Sequence, residues 1–460
     1  MDSKLKEKYG LPMAIAMVVG IVIGSGIFFK AEKILKATGG DQWLGVLAWI
    51  IGGAIMIVCA YTFATMATRY SYVNGLVDYA EVTMGGKYAY LLGWFMTTIY
   101  YPTLTSVLAW VSARFFCVLM GWDITGGSCL AIAAFFLCSS YALNALSPVL
   151  AGKFQISATI IKVIPLILMG VVGLIVGLSN GLTVENFTHV VTPVTSTGKA
   201  LFTAVVATAF AYEGWIIATS INAELKDAKK NLPKALVIGT LAVVVIYILY
   251  YVGLAGGVTN AVMMDGGQAG AKIAFETIFS TVGGTLLFVF IVISCLGTLN
   301  GLMLGCTRGM YSLAVRGEGP KPEMFKQVDP ITNMPTNSSI LGLFFCGVWL
   351  LFFYGANLVE VPWFGKFSFD TSELPIVTIY ASYIPIFIAM MIKEKELGGF
   401  KRFVMPILAE CGCVFMVYAT VYVYGETVLY YLAIFLAFMI VGAFFMKKKE
   451  PAKTPAKKSK

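Results

Sequence analysis

Charge and histidine are scarce in this chain. Only 12% of its 460 residues are charged, and His189 is the single histidine. Soluble domains average about 25% charged residues, so a soluble globular protein is excluded. A lone histidine excludes the paired-histidine zinc motifs, and no metal or other cofactor is expected. With 58% apolar residues the composition is the opposite of a disordered segment. There is no P-loop, catalytic triad or βαβ context for a dinucleotide fingerprint, so an enzyme has little support. Short alternating runs, the mark of an outer-membrane barrel, are missing too. What the sequence does have is continuous apolar runs, with a mean hydropathy of +0.83. Runs of about 20 residues are the length of a membrane-crossing helix. The pattern predicts an all-α polytopic membrane protein.

About twelve spans are expected, at roughly 12–35, 43–68, 88–120, 129–146, 154–178, 199–225, 235–258, 284–313, 338–356, 373–392, 403–424 and 427–446. Residues 260–282 read as an outer loop with a short helix. The first run lacks a small-residue cleavage site and is read as a span, not a leader. With the N-terminus inside, inner segments hold about 25 of the 33 basic residues. Both termini are therefore expected to be cytoplasmic, in the cell membrane. The lysine-rich tail, 447–460, reads as a cytoplasmic end and not as a nucleic-acid-binding arm. Most of the nine cysteines lie within apolar runs and read as structural thiols. Cys411 and Cys413 point about 200° apart on a helix, which makes them poor co-ligands. Trp43 and Trp94 read as residues of the membrane interface, as do Glu373 and Glu410.

Two spans are interrupted. The first carries Gly24-Ser25-Gly26, and the sixth carries Ala211-Tyr212-Glu213-Gly214-Trp215. They lie five spans apart and would face opposite ways across the membrane. Broken helices at matching places in two halves point to a transporter of inverted repeats with its site at the midplane. The repeats would be 12–178 and 199–392, within a transport core of 1–392, and 403–446 would add helices eleven and twelve.

The residues at the breaks have chemistry to offer. Glycine lets a helix open, and the N–H groups freed at a half-helix N-terminus bind an anion such as a carboxylate. Ser25 adds a hydroxyl. Gly20-x-x-x-Gly24 is equally a small-residue packing face. Glu213 is an acid inside an apolar span, a functional candidate by default. It can also serve as a hydrogen bond between helices or in an outer vestibule. A break there frees the carbonyls of Phe210 and Ala211 for an ammonium group. One opened helix for a carboxylate and one for an amine describe a site for an α-amino acid. Lys162 lies too deep to snorkel easily and needs a polar partner or a wet cavity. Ser294, Thr298 and Asn300 of the eighth span are available, and the inner interface is the alternative. Gly297, Gly301 and Gly305 read as a helix-packing ridge. Tyr100-Tyr101-Pro102 mark a third span whose aromatics would wall a pocket or fill a core.

Gly20-Ile21-Val22-Ile23-Gly24-Ser25-Gly26-Ile27-Phe28 resembles the G-x-x-I-G-S-G-I-F signature of the amino acid–polyamine–organocation superfamily, and within it the L-type amino acid transporter family. Ile99 to Thr103, Phe210 to Trp215, Lys229 to Ala235, Ser294 to Gly301 and Arg308 to Pro320 resemble further segments of that family, in register. The resemblance implies a LeuT-like twelve-helix fold with a five-plus-five inverted repeat and broken helices one and six. It implies sodium-independent transport of neutral L-amino acids, usually as exchange, by alternating access. Ser25 and Gly26 would hold the substrate carboxylate. The amine would meet carbonyls at Ile23 or its neighbours and at Phe210, with Gly24, Ala211, Glu213 and Gly214 completing the site. Phe210 would gate the outer side. Lys162 would tie to Ser294 where relatives place sodium. Glu213 departs from the Gly or Asp common in relatives, and would shrink the pocket, bind a proton or favour a cationic substrate. Gly121 to Ser128 holds no cysteine, so no disulfide-linked glycoprotein subunit is expected, as for a prokaryotic member working alone. The alternatives are a proton-coupled permease, a receptor that binds amino acids without moving them, and a cation or polyamine carrier, for which the spans hold too few acids.

Overall fold

The computed structural model describes residues 10–70, 75–216 and 225–446. The lysines of the N-terminus and of the 447–460 tail, and residues 217–224 of the expected sixth span, fall outside the described residues. Among the described residues, ten helices are long and apolar enough to cross a membrane. The first and sixth spans complete the set of twelve. The first is split into Leu11–Val22 and Gly26–Ala37. The sixth is described as Thr197–Tyr212, ending at Glu213.

Local sequence sets the ends of these helices. Asp41 caps the second span, Gln42–Arg69, by accepting a 3.0 Å hydrogen bond from the Leu44 amide. Gly121 closes the third at φ 69°, where Trp122 N–H returns to Cys117 O at 2.8 Å. Proline shapes two interiors. Pro102 has no N–H to give the Thr98 carbonyl, and the third span takes a π-turn over Met96–Tyr100. Trp349 Nε1 of the ninth span donates to that carbonyl instead, at 2.9 Å. In the fifth span Pro165 leaves the Ile161 carbonyl without its donor, and the helix is interrupted at Lys162.

The seventh span, Ala228–Leu254, runs along the first and second, and the described half of the sixth packs between the first, second and eleventh. The third span packs against the fourth, eighth and ninth. The glycine ridge of the eighth span does serve packing. A Cβ at Gly297 would lie 2.5 Å from Ala158 Cβ, and one at Gly305 3.3 Å from the Tyr101 ring.

Three expectations need correction. Residues 260–282 are more helical than a loop. Asn260–Gly266 is one helix, and Gln268 begins a second that runs on to Ala314 with a break at Ser280, φ 63°. Trp94 is not a membrane-interface residue. It is buried against Gly442 of the twelfth span, with Nε1 bonded to Phe438 O at 2.8 Å. Glu373 sits at the start of the tenth span, where an interfacial residue is expected, but it is inside the protein, being 1% exposed.

Candidate functional site

The two breaks meet. Val22 is the last helical residue of one half-helix, Ile23 and Ser25 turn the chain, and Gly26 starts the next half. The first intrahelical bond of that second half is Phe29 N–H to Ser25 O, 3.0 Å. The amides of Gly26, Ile27 and Phe28 precede it, so they have no acceptor within the helix. Across from them the sixth span stops at Tyr212. Glu213 is extended, and Gly214 sits at φ 108°, which glycine alone adopts without strain. A Cβ at Gly26 would lie 2.5 Å from Ala211 Cα and 3.1 Å from Phe210 O. Freed amides of one half-helix therefore face the carbonyl end of the other at backbone contact distance.

A tyrosine from a third helix joins them. The Tyr247 hydroxyl of the seventh span lies 3.1 Å from Val22 O and 3.0 Å from Ala211 O. Both carbonyls belong to the last turns of their half-helices, where the α-helical donors have run out. The Tyr247 ring stacks on Tyr212, and Trp49 meets both edge-on.

A cavity of about 160 Å³ opens at this junction. Seven of the residues singled out by their sequence pattern line it at the two breaks: Gly24, Ser25, Gly26, Phe210, Ala211, Glu213 and Gly214. Lys162 lines it as well, with Tyr100, Gln155 and Thr298. Ile23 and Ser294 do not. Ile23 is fully buried in the core beside the break. Ser25 Oγ is buried with no hydrogen-bond partner, and Cys295 lies beside it. One Glu213 oxygen accepts from Tyr100 OH at the π-turn. The other, Oε2, is buried and unpartnered.

The expected tie between Lys162 and Ser294 does not form. Lys162 Nζ donates to the carbonyl of Gly20, one of the four orphaned when the first half-helix ends. Two of the eighth-span groups are engaged elsewhere, while the Ser294 hydroxyl is buried without a hydrogen-bond partner. Thr298 bonds to Ser294 O at 3.0 Å, and Asn300 pairs with Asn144 at 2.8 Å. The ammonium takes the orphan carbonyl and leaves the Ser294 hydroxyl unpaired.

Access differs on the two faces. On the face away from the N-terminus, Phe210 meets Phe29 edge-on, and Lys30 Nζ stands 5.0 Å from each ring centre. Lys30 bonds Glu373 at 2.8 Å and Ser372 at 3.0 Å, and Lys33 bonds Glu373 at 2.5 Å and Asp370 at 2.9 Å. Tyr424 of the eleventh span bonds the second Glu373 oxygen at 2.5 Å. This cluster fastens the first span to the tenth above the cavity. Burial alone would raise the Asp370 carboxyl, but the Lys33 and Lys30 ammoniums outweigh it and hold it below the usual carboxylate range. On the N-terminal face a second cavity of about 290 Å³ lies between the third and eighth spans. It shares Gly301 and Leu302 with the first and carries Arg308 and Arg316. Sequence reasoning missed the ionic cluster and Tyr247. Three lysines on the lysine-poor face, with Asp370 and Glu373 on the same face, were the available signal for the first.

Two opened helices held backbone to backbone around a small cavity, within a twelve-span bundle, define a membrane transporter. The chain belongs to the amino acid permease family, whose profile matches residues 9–459. It is 30% identical over 428 residues to the serine/threonine exchanger SteT of Bacillus subtilis (strain 168), covering 91% of this chain and 92% of that protein. It is 23% identical over 456 residues to the mouse b(0,+)-type amino acid transporter 1, covering 95% and 90%. The human large neutral amino acids transporter small subunit 2 is 25% identical over 343 residues, 72% of this chain and 62% of that protein. Among solved structures, MhsT in complex with L-phenylalanine superposes with a TM-score of 0.54 at 12% identity, over 92% of this chain and 98% of that one. That likeness shows the shared LeuT-like fold. The chain is thus a multi-pass amino acid transporter and not an enzyme.

Proposed function

We propose that the chain is a sodium-independent exchanger of small neutral L-amino acids, working by alternating access. One observation carries the reading: the N-terminal end of the half-helix that begins at Gly26 and the Phe210–Ala211 end of the sixth span touch, and together they line one cavity of about 160 Å³. The amides suit an α-carboxylate and the carbonyls an α-ammonium. The small volume favours a short side chain. Glu213 Oε2 is a buried acceptor without a donor, and a substrate hydroxyl would satisfy it. The name of the Bacillus relative, a serine/threonine exchanger, accords with this. Sodium independence rests on Lys162, whose ammonium already occupies a carbonyl of the first break. Phe210 would close the outer side together with the ionic cluster.

The basic-residue bias supports a cytoplasmic N-terminal face, with both termini in the cytoplasm. On that assignment the ionic cluster closes the outside. The two breaks support repeats of 12–178 and 199–392, and the cysteine-free loop at Gly121 to Ser128 supports a transporter working without a disulfide-linked subunit. The test is uptake of labelled serine, threonine, leucine and arginine by purified protein in sodium-free liposomes, with and without internal amino acid. Exchange of serine or threonine only into preloaded vesicles is the expected result. Uptake into empty vesicles that tracks a proton gradient would favour the proton-coupled reading, which the unpartnered Glu213 oxygen also suits. Binding without flux would favour a receptor.

A further inference from the structure

An apolar cavity lies away from the transport site. It measures about 410 Å³ and lies between the third, tenth, eleventh and twelfth spans, among residues such as Phe95, Val377, Val417 and Phe435. Its few polar groups are all satisfied within the protein. Tyr88 OH donates to Ser382 O at 2.7 Å, Ser382 Oγ to Ile379 O at 2.6 Å, and Thr420 Oγ1 to Met416 O at 2.8 Å. Thr378 Oγ1 and Tyr431 OH bond each other at 2.6 Å. The walls therefore offer a ligand no free donor, and an apolar body gains most by entering.

We infer that this pocket holds one acyl chain of a bilayer phospholipid. Three observations select that occupant. Rim residues Val421 and Leu432 are 49% and 38% exposed on helices at membrane depth, so the mouth opens to lipid and not to water. Along the twelfth span the lining runs from Val428, one residue into the helix, to Met439. At 1.5 Å per residue that is about 16 Å, against about 15 Å for one leaflet of a bilayer whose core is about 30 Å thick. The leaflet is the one on the face away from the N-terminus, where the twelfth span begins. The cavity also backs directly onto the ionic cluster. Leu374, which lines it, follows Glu373, and the lining residues Val421 and Val428 flank Tyr424 on either side in sequence. The chain fills the space behind the tenth span just where that span is fastened to the first.

The test uses the full chain in vesicles containing a phosphatidylethanolamine with a diazirine midway along one acyl chain. After illumination the labelled peptides are mapped by mass spectrometry. Labelling of 374–382, 417–421 and 428–439 several-fold above the open lipid-facing surface at Ile156 and Ile160 is expected. Ala381→Phe on the tenth span and Val417→Phe on the eleventh each fill the pocket from a different wall, and each should reduce that labelling to the level of the open surface. Retained serine binding confirms that a variant is folded. Equal labelling of pocket and open surface overturns the inference, as does labelling that neither folded variant reduces.

Discussion

The breaks in the first and sixth spans do the same geometric job with opposite chemistry. The first is uncharged and made by glycines at a helix N-terminus. Its burden is steric, because Gly26 touches the Ala211 backbone. The sixth ends a half-helix with a carboxylate, and its φ of 108° at Gly214 is conformational. One break presents donors and tolerates no side-chain volume. The other presents acceptors and carries, among the described residues, the only acid lining the cavity. On the proposed function, orientation of the substrate would be written in backbone, and choice of its side chain would be left to Glu213 and its neighbours.

Substitutions at each break test that division. Gly26→Val has the largest expected effect. Overpacking of this kind costs about 1–3 kcal/mol, roughly 5- to 150-fold if it falls on affinity, and calorimetric titration should show the loss for every amino acid alike. Wild-type affinity would detach the first break from the site. Tyr247→Phe is next, because it removes the one hydroxyl proton that the buried carbonyls of Val22 and Ala211 share, at about 1–3 kcal/mol. It should lower thermal stability and slow exchange without changing which amino acids compete. A changed preference would give Tyr247 a place among the substrate contacts. Glu213→Gln keeps the shape but removes the charge. The difference between charged and neutral hydrogen bonds is about 1 kcal/mol, so serine and threonine affinity should fall about fivefold while alanine is nearly unaffected. An equal loss for alanine would move Glu213 from side-chain selection to general architecture.

The smallest effect expected is none at all. The second half of the first span ends in the ionic cluster, and Asp370 there is held below the usual carboxylate range. A depressed carboxylate contributes stability that is fully present above its unfolded value, near about 3.9. That contribution is lost only as pH falls through the lower folded value. Hydrogen exchange of 368–373, corrected for intrinsic rates, should therefore be unchanged between pH about 5 and 8. Protection that fades toward pH 5 would show that the lysines do not hold Asp370.

The fold and most of the cavity were legible because their signals are local. Gly24-Ser25-Gly26 and Glu213-Gly214 interrupt apolar runs, and apolar length alone marks the crossings. What was not legible depends on pairing between distant segments. Lys162 was visibly in need of an acceptor, but nothing in its neighbourhood says that a carbonyl of the first span would outcompete Ser294. Tyr247 sits in an unremarkable run of valines, isoleucines and tyrosines. Its hydroxyl must find a partner in the membrane, and the sequence does not say which. Trp94 looked like an interfacial aromatic, and became a core residue only because Gly442 of the twelfth span leaves room for its ring.

Tyr247 has a consequence for motion. Two interrupted helices would ordinarily add two independent joints to a bundle. A single hydroxyl that holds the loose end of each removes that independence, since neither end can swing without dragging or releasing the other. The pair then behaves as one hinge with one coordinate. On the proposed function, a bound amino acid would lie across the same gap and bear on that coordinate from the opposite side, so occupancy and hinge angle would be read by the same few atoms.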